Sequence, residues 1–125
     1  MLKILVIEDE AAIRNNLAIF LRAEGYEVAT AENGVAGVAA ARENHPHLII
    51  CDIRMPELDG YGVLAELRQS AVTARIPFMF LTASADRAER RIGLAQGADE
   101  YITKPFKLPD LLAAIKRRLA AAGAE

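Results

Sequence analysis

Short apolar runs alternate with amphipathic stretches five times along the 125 residues, and that alternation leaves few folds open. The runs cover residues 2–7, 26–30, 48–51, 77–81 and 101–103 and are rich in Ile, Leu, Val or Phe. The first and fourth are nearly continuous in apolar character, as strands buried on both faces are. Between runs, Ile13, Leu17, Phe20 and Leu21 recur at helical spacing, and so do Leu108, Leu111, Leu112, Ile115 and Leu119. The stretch Gly34–Asn44 is the weakest helical pattern, being mostly alanine, valine and glycine. Gly25 and Gly97 stand where helices would end, and Asn33 and Asp59 where helices would be capped. Five strand–helix units predict an α/β fold with a parallel sheet, helices on both faces and right-handed crossovers. In such sheets, ligands bind beyond the carboxyl ends of the strands.

The length suits one domain with a single core. With 53% hydrophobic and 26% charged residues, the composition is that of a folded chain and not a disordered one. Net charge is −2 and no long basic run occurs, so nothing electrostatic calls for nucleic acid or an anionic membrane. Lys116-Arg117-Arg118 reads as cations favoured at a helix C-terminus. The single cysteine, Cys51, excludes an internal disulfide and reads as a small core residue in its apolar run. No apolar stretch reaches membrane-spanning length and the chain opens directly into its first run, so a cytoplasmic protein is expected. His45 and His47 flank Pro46 ahead of the third run and are expected at the surface, as neither metal ligands nor phosphohistidines.

The carboxyl ends of the runs carry a coherent set. The first ends in Glu8-Asp9-Glu10, the third in Asp52, the fourth in Thr82 and the fifth in Lys104-Pro105. Carboxylates brought together repel and raise one another's pKa unless a cation joins them. Mg²⁺ accepts one or two protein carboxylates and keeps several waters, leaving positions for phosphate oxygens. Each residue also has a simpler reading. Asp9 could cap the first helix and Asp52 could be a turn or cap residue. Thr82 fits a strand end, and Lys104-Pro105 fits a surface turn. Their joint placement favours the shared site.

The segments Ile4-Leu5-Val6-Ile7-Glu8-Asp9-Glu10, Cys51-Asp52-Ile53-Arg54-Met55-Pro56-Glu57-Leu58-Asp59-Gly60, Phe80-Leu81-Thr82-Ala83 and Gly97 to Phe106 resemble the receiver domains of two-component response regulators. The resemblance covers essentially the whole chain. It implies a flavodoxin-like sheet of order 2-1-3-4-5, with a receiver domain over residues 1–119 and a tail or linker over 120–125. It implies Asp52 as phosphoacceptor and Mg²⁺ held by Asp9, Asp52 and the backbone carbonyl of Arg54, with Glu8 acting through water. Lys104 would neutralise a phosphoryl oxygen and Thr82 would bond another. Tyr101 would rotate as Thr82 moves, although it could also simply pack at a sheet edge with its hydroxyl wet. Pro56 and Gly60 would shape the loop into the third helix, and the Lys104-Pro105 bond would be cis. Ala83 would leave the phosphoryl group room, while Arg54 and Ser84 would tune its lifetime.

The same resemblance implies a sensor histidine kinase or phosphotransfer protein as donor, and no enzymatic turnover beyond the domain's own phosphorylation and dephosphorylation. Two outputs stay open: a stand-alone relay, or the N-terminal receiver of a longer regulator. A homodimer through the fourth helix, fifth strand and fifth helix would use Arg90, Asp99, Glu100, Asp110 and Lys116, but Ala114 stands where that reading expects an arginine. A haloacid-dehalogenase-like phosphohydrolase is the alternative class, and it would need its nucleophile after the first strand. No glycine-rich phosphate loop supports a dinucleotide binder.

Overall fold

The computed structural model describes residues 1–83 and 86–124. Its elements follow in strict alternation: β1 (Lys3–Ile7), α1 (Ala11–Ala23), β2 (Glu27–Ala31), α2 (Gly34–Asn44), β3 (Leu48–Asp52), α3 (Gly60–Gln69), β4 (Phe78–Thr82), α4 (Arg87–Ala95), β5 (Glu100–Thr103) and α5 (Leu108–Ala121). The strands form one parallel sheet of order β2-β1-β3-β4-β5, the order the resemblance implies.

The period-2 alternation of strand side chains explains the continuous apolar runs. Ile4, Val6, Leu48, Ile50, Met79 and Leu81 pack with Leu17, Leu21, Leu111 and Ile115 of α1 and α5. Their neighbours Leu5, Ile7, Ile49, Cys51, Phe78 and Phe80 pack on the opposite face with Val38, Val63, Leu64 and Leu67 of α2 and α3. Central strands therefore have no polar face to show. The edge strand β2 instead mixes exposed Glu27 and Thr30 with buried Val28 and Ala31.

Helix ends fall where the punctuation placed them. Asn33 accepts from the Ala36 amide and Asp59 from the Gly62 amide. Gly25 and Gly97 adopt φ values of +96° and +114° just past α1 and α4, where a side chain would be strained. The glycine-rich α2 forms over its full expected span, because Gly37 lets it lie directly against Ile7. It ends without a glycine, His45 adopting φ 47°. His45 and His47 are both exposed, and His47 Nδ1 accepts from the Lys3 amide at 3.0 Å. Helix α5 runs through Ala121, so the first two residues of the expected tail belong to it. No helix among the described residues is long and apolar enough to cross a membrane.

Candidate functional site

The expected residues meet at the carboxyl end of the sheet, between β1, β3 and β5. Strand pairing sets Val6 beside Ile50 and Ile7 beside Cys51, so Glu8 and Asp52 emerge as neighbours. Both follow the α1/α5-facing parity of their strands, as does Lys104 after Ile102. Glu8 is 1% exposed and Asp52 7%, while Asp9 faces solvent. One carboxylate oxygen from each of the three lies within 4.8 Å of the others.

Lys104 closes the cluster from β5. Its Nζ donates to Glu8 Oε1 at 2.8 Å and lies 3.5 Å from Asp52 Oδ2. Burial pulls the ammonium's pKa down, but the hydrogen bond to Glu8 and the charges of Asp52, Glu8 and Glu10 outweigh it and leave it raised. The Asp9 carboxyl is raised too, which disfavours its charged form: burial, a hydrogen bond to Glu8 and the Glu8 charge raise it, against a backbone hydrogen bond and the pull of Lys104. Three carboxylates against one ammonium leave negative charge uncompensated, and an all-oxygen donor set of this kind suits a hard divalent cation.

The simpler readings fare unequally. Glu10, not Asp9, occupies the cap position of α1, without a side-chain capping bond. Lys104 turns inward, and the Lys104-Pro105 peptide is cis. Asp52 Oδ1 accepts from the next amide, Ile53 N, at 2.8 Å, which leaves Oδ2 toward Lys104. Thr82 is 1% exposed at the end of β4. Tyr101 is 4% exposed, so it packs inward and not as a wet edge residue, and its ring stands edge-on to Phe80 at 6.2 Å. Thr82 shares strand parity with Phe80, and Phe80 pairs with Tyr101, so both expected switch residues lie on the α3/α4 side.

The loop after β3 explains its motif. A Cβ on Gly60 would lie 2.5 Å from the Asp52 carbonyl oxygen and 2.8 Å from Ile53 Cα, so only glycine lets α3 start against the acidic cluster. Pro56 O accepts from Leu58 N across a turn in which Glu57 adopts φ 68°. Cys51 is fully buried, and burial together with the charges of Asp52, Glu8 and Asp59 pushes its thiol up, so it stays neutral. Ala83 is exposed beside the site. Ser84 lies outside the described residues.

Several contacts have no sequence signature. Arg14 Nη1 donates to the Glu8 carbonyl at 2.8 Å and to that of Asp9 at 3.4 Å, bracing the loop after β1. The exposed Arg54 side chain pairs with Glu89 of α4 at 3.3 Å. Asp99 lies 3.7 Å from Arg68 Nη2, and Glu100 pairs with Arg117 and, at 3.2 Å, with Arg118. The basic run near the α5 terminus therefore also clamps the helix to β5. Ala114 is buried against the sheet.

A family model described as the response regulator receiver domain matches residues 4–116. The probable transcriptional regulator ycf27 of Cyanophora paradoxa is 45% identical over 117 residues, which cover 94% of this chain and 48% of that protein. The phosphate regulon transcriptional regulatory protein PhoB of Rhizobium meliloti is 42% identical over 123 residues, 98% of this chain and 54% of PhoB. The chain thus spans about half the length of these curated relatives. Among solved structures, the Vibrio cholerae chemotaxis protein CheY4 superposes with a TM-score of 0.89 at 30% identity, covering 94% of this chain and 98% of that one.

Proposed function

The chain belongs to the response regulator receiver domain family of two-component phosphorelay signalling, and on that premise we propose that Asp52 is the phosphoacceptor of a Mg²⁺-dependent switch. The observation that carries this reading is the Lys104 ammonium seated between Glu8 and Asp52 beside a third carboxylate. Asp9, Asp52 and the backbone carbonyl of Arg54 would hold the ion, with Glu8 acting through an intervening water. Bound there, Mg²⁺ supplies charge neutralisation for the incoming phosphoryl oxygens.

This chain's residues do the rest. Asp52 Oδ2 attacks phosphorus, its bond forms as the phosphorus–nitrogen bond of a phosphohistidine breaks, and the released imidazole takes a proton. The donor is a sensor histidine kinase or a phosphotransfer protein. Lys104 is close enough to neutralise a phosphoryl oxygen without leaving the cluster. The Thr82 hydroxyl bonds another, and Tyr101 follows it on the same face of β4 and β5. Inverting a 1:99 population takes about 5.5 kcal/mol of preferential binding. A single charge-assisted hydrogen bond gives only about 1.5–3 kcal/mol, so Thr82 and Lys104 must act together with the ion.

The test is intact-mass analysis after incubation with acetyl phosphate. One phosphoryl group should appear with Mg²⁺ and none with EDTA or in Asp52→Asn. Equal uptake by Asp52→Asn would move the acceptor elsewhere.

A further inference from the structure

The amino end of the sheet gathers cations. A cleft of about 390 Å³ opens there beside Pro77 and Asp99, which stand just ahead of β4 and β5, at the end opposite the acidic cluster. Arg68 of α3, Arg75 of the connection to β4 and Arg118 of α5 line it, against one carboxylate, Asp99. The chain as a whole carries a net charge of −2, so this concentration of positive charge is local. Asp99 is already engaged, its Oδ2 accepting from the Phe78 amide at 2.8 Å and lying 3.7 Å from Arg68 Nη2.

The fold explains part of this cluster. Arg68 and Arg118 stand in the last turns of α3 and α5, where helix dipoles favour cations. Arg68 Nη1 and Nη2 donate to the Ile76 and Gly97 carbonyls at 2.8 and 2.9 Å, which fixes the guanidinium and still leaves it N–H groups to spare. Burial lowers its pKa, and the charge of Asp99 makes up only part of that cost. Two features are left over. Arg75 is exposed on the cleft and forms no ion pair among the described residues. Arg118 shares the single carboxylate of Glu100 with Arg117, and its own Nε is buried without a hydrogen-bond partner. Buried donors are almost always satisfied, so this one marks a missing acceptor.

We propose that this cleft binds a phosphate group, free or carried by a small molecule such as a nucleotide. Its volume suits a small ligand. Guanidinium forks bind phosphate oxygens through paired hydrogen bonds, and three guanidiniums call for an anion with at least three acceptor oxygens. A carboxylate side chain offers only two. Arg68 is already held in place, and Arg75 supplies a cation that no carboxylate of the described residues engages. Arg118 turns its Nε edge to the anion and leaves Glu100 to Arg117. The cleft lies at the far end of the sheet from Asp52, so the proposal stands apart from the receiver reading.

The test is an NMR titration of the whole ¹⁵N-labelled chain in EDTA at constant ionic strength, with inorganic phosphate and, separately, with adenosine diphosphate. Saturable shifts should appear at the Gly97 and Ala122 amides and at the Arg118 Nε–H. Comparable affinity for the two probes assigns free phosphate as the ligand, and tighter binding of the diphosphate assigns a phosphate-bearing molecule; either supports the proposal. Arg75→Gln should bind about tenfold more weakly, the loss of a charge-assisted hydrogen bond, and should melt with the parent because the side chain is exposed and unpaired. Arg87→Gln, at the other end of α4, should bind like the parent. The absence of saturable shifts, or equal binding by Arg75→Gln, would overturn the proposal. So would the same shifts from chloride at matched ionic strength, or tighter binding of a glutamate-rich peptide than of either phosphate probe.

Discussion

Replacing Lys104 with methionine removes the one ammonium that the described residues bring to the acidic cluster while keeping most of the side-chain volume. At an effective dielectric of about 20, its attraction to Glu8 at 2.8 Å is about 6 kcal/mol and to Asp52 at 3.5 Å about 5 kcal/mol. Desolvation and repulsion among the carboxylates consume part of that gross value. Removing one partner of a buried pair costs about 3–5 kcal/mol, and the burial of Glu8 and Asp52 places this case in that class. For a chain of this length about 1 kcal/mol moves Tm by about 3–5 °C, so Lys104→Met should melt about 10–20 °C below the parent in EDTA. Mg²⁺ should restore much of the loss, because the variant's unneutralised carboxylates gain more from the ion than the parent's do. A ligand at about 100 times its Kd adds about 2.7 kcal/mol.

The pH profile gives a second handle on that cluster. The folded ammonium's pKa is raised, so its contribution is complete below the ordinary value of 10.5 and is lost as pH rises through the folded value. The gap between parent and variant should therefore be flat from neutrality upward and close only in strong base. Scanning calorimetry with EDTA and with Mg²⁺ measures all of this. A Lys104→Met protein as stable as the parent in EDTA would refute the reasoning, since the carboxylates would then not need the ammonium.

Asp9→Asn should raise stability in EDTA by less than about 1 kcal/mol, because burial and Glu8 disfavour the ionised form and Asp9 is exposed enough to be screened; it should also blunt stabilisation by Mg²⁺ in the same melts. Gly60→Ala should lose about 1–3 kcal/mol in urea titration and slow acetyl phosphate uptake, since its methyl group meets the Asp52 carbonyl. Burial alone would raise the Glu100 carboxyl, but Arg117 and Arg118 overcome it and hold the pKa below the ordinary value of 4.5. Its stabilisation is therefore complete above that value and lost as pH falls through the folded one, so Glu100→Gln should be less stable at neutral pH and level with the parent in strong acid, as followed by circular dichroism.

Most of the fold was legible because its determinants are local. Strands buried on both faces must be apolar along their length, and β1, β3 and β4 are, apart from Lys3 at the start of β1 and Asp52 and Thr82 at the carboxyl ends of β3 and β4. The caps at Asn33 and Asp59 and the left-handed glycines at 25 and 97 follow from backbone chemistry that a sequence displays directly. The candidate site was legible for a different reason: each member sits at the end of a strand, and parallel strands end together. What stayed hidden depends on side chains meeting across the chain. Arg14 bonds backbone carbonyls, which leave no trace in residue identity. Glu89 reaches Arg54 across 35 positions. The inward packing of Tyr101 depends on Phe80 beside it, because an edge strand as short as β5 offers its residues either solvent or core.

The central claim, that Asp52 carries the phosphoryl group, is tested most directly by trapping the acyl phosphate. Protein treated with acetyl phosphate and Mg²⁺ is reduced with borohydride, which converts an aspartyl phosphate to homoserine, and then digested and sequenced by mass spectrometry. The account predicts homoserine at position 52, and none there when Mg²⁺ is replaced by EDTA. Homoserine at Asp9 or another carboxylate, with Asp52 unmodified, would contradict it.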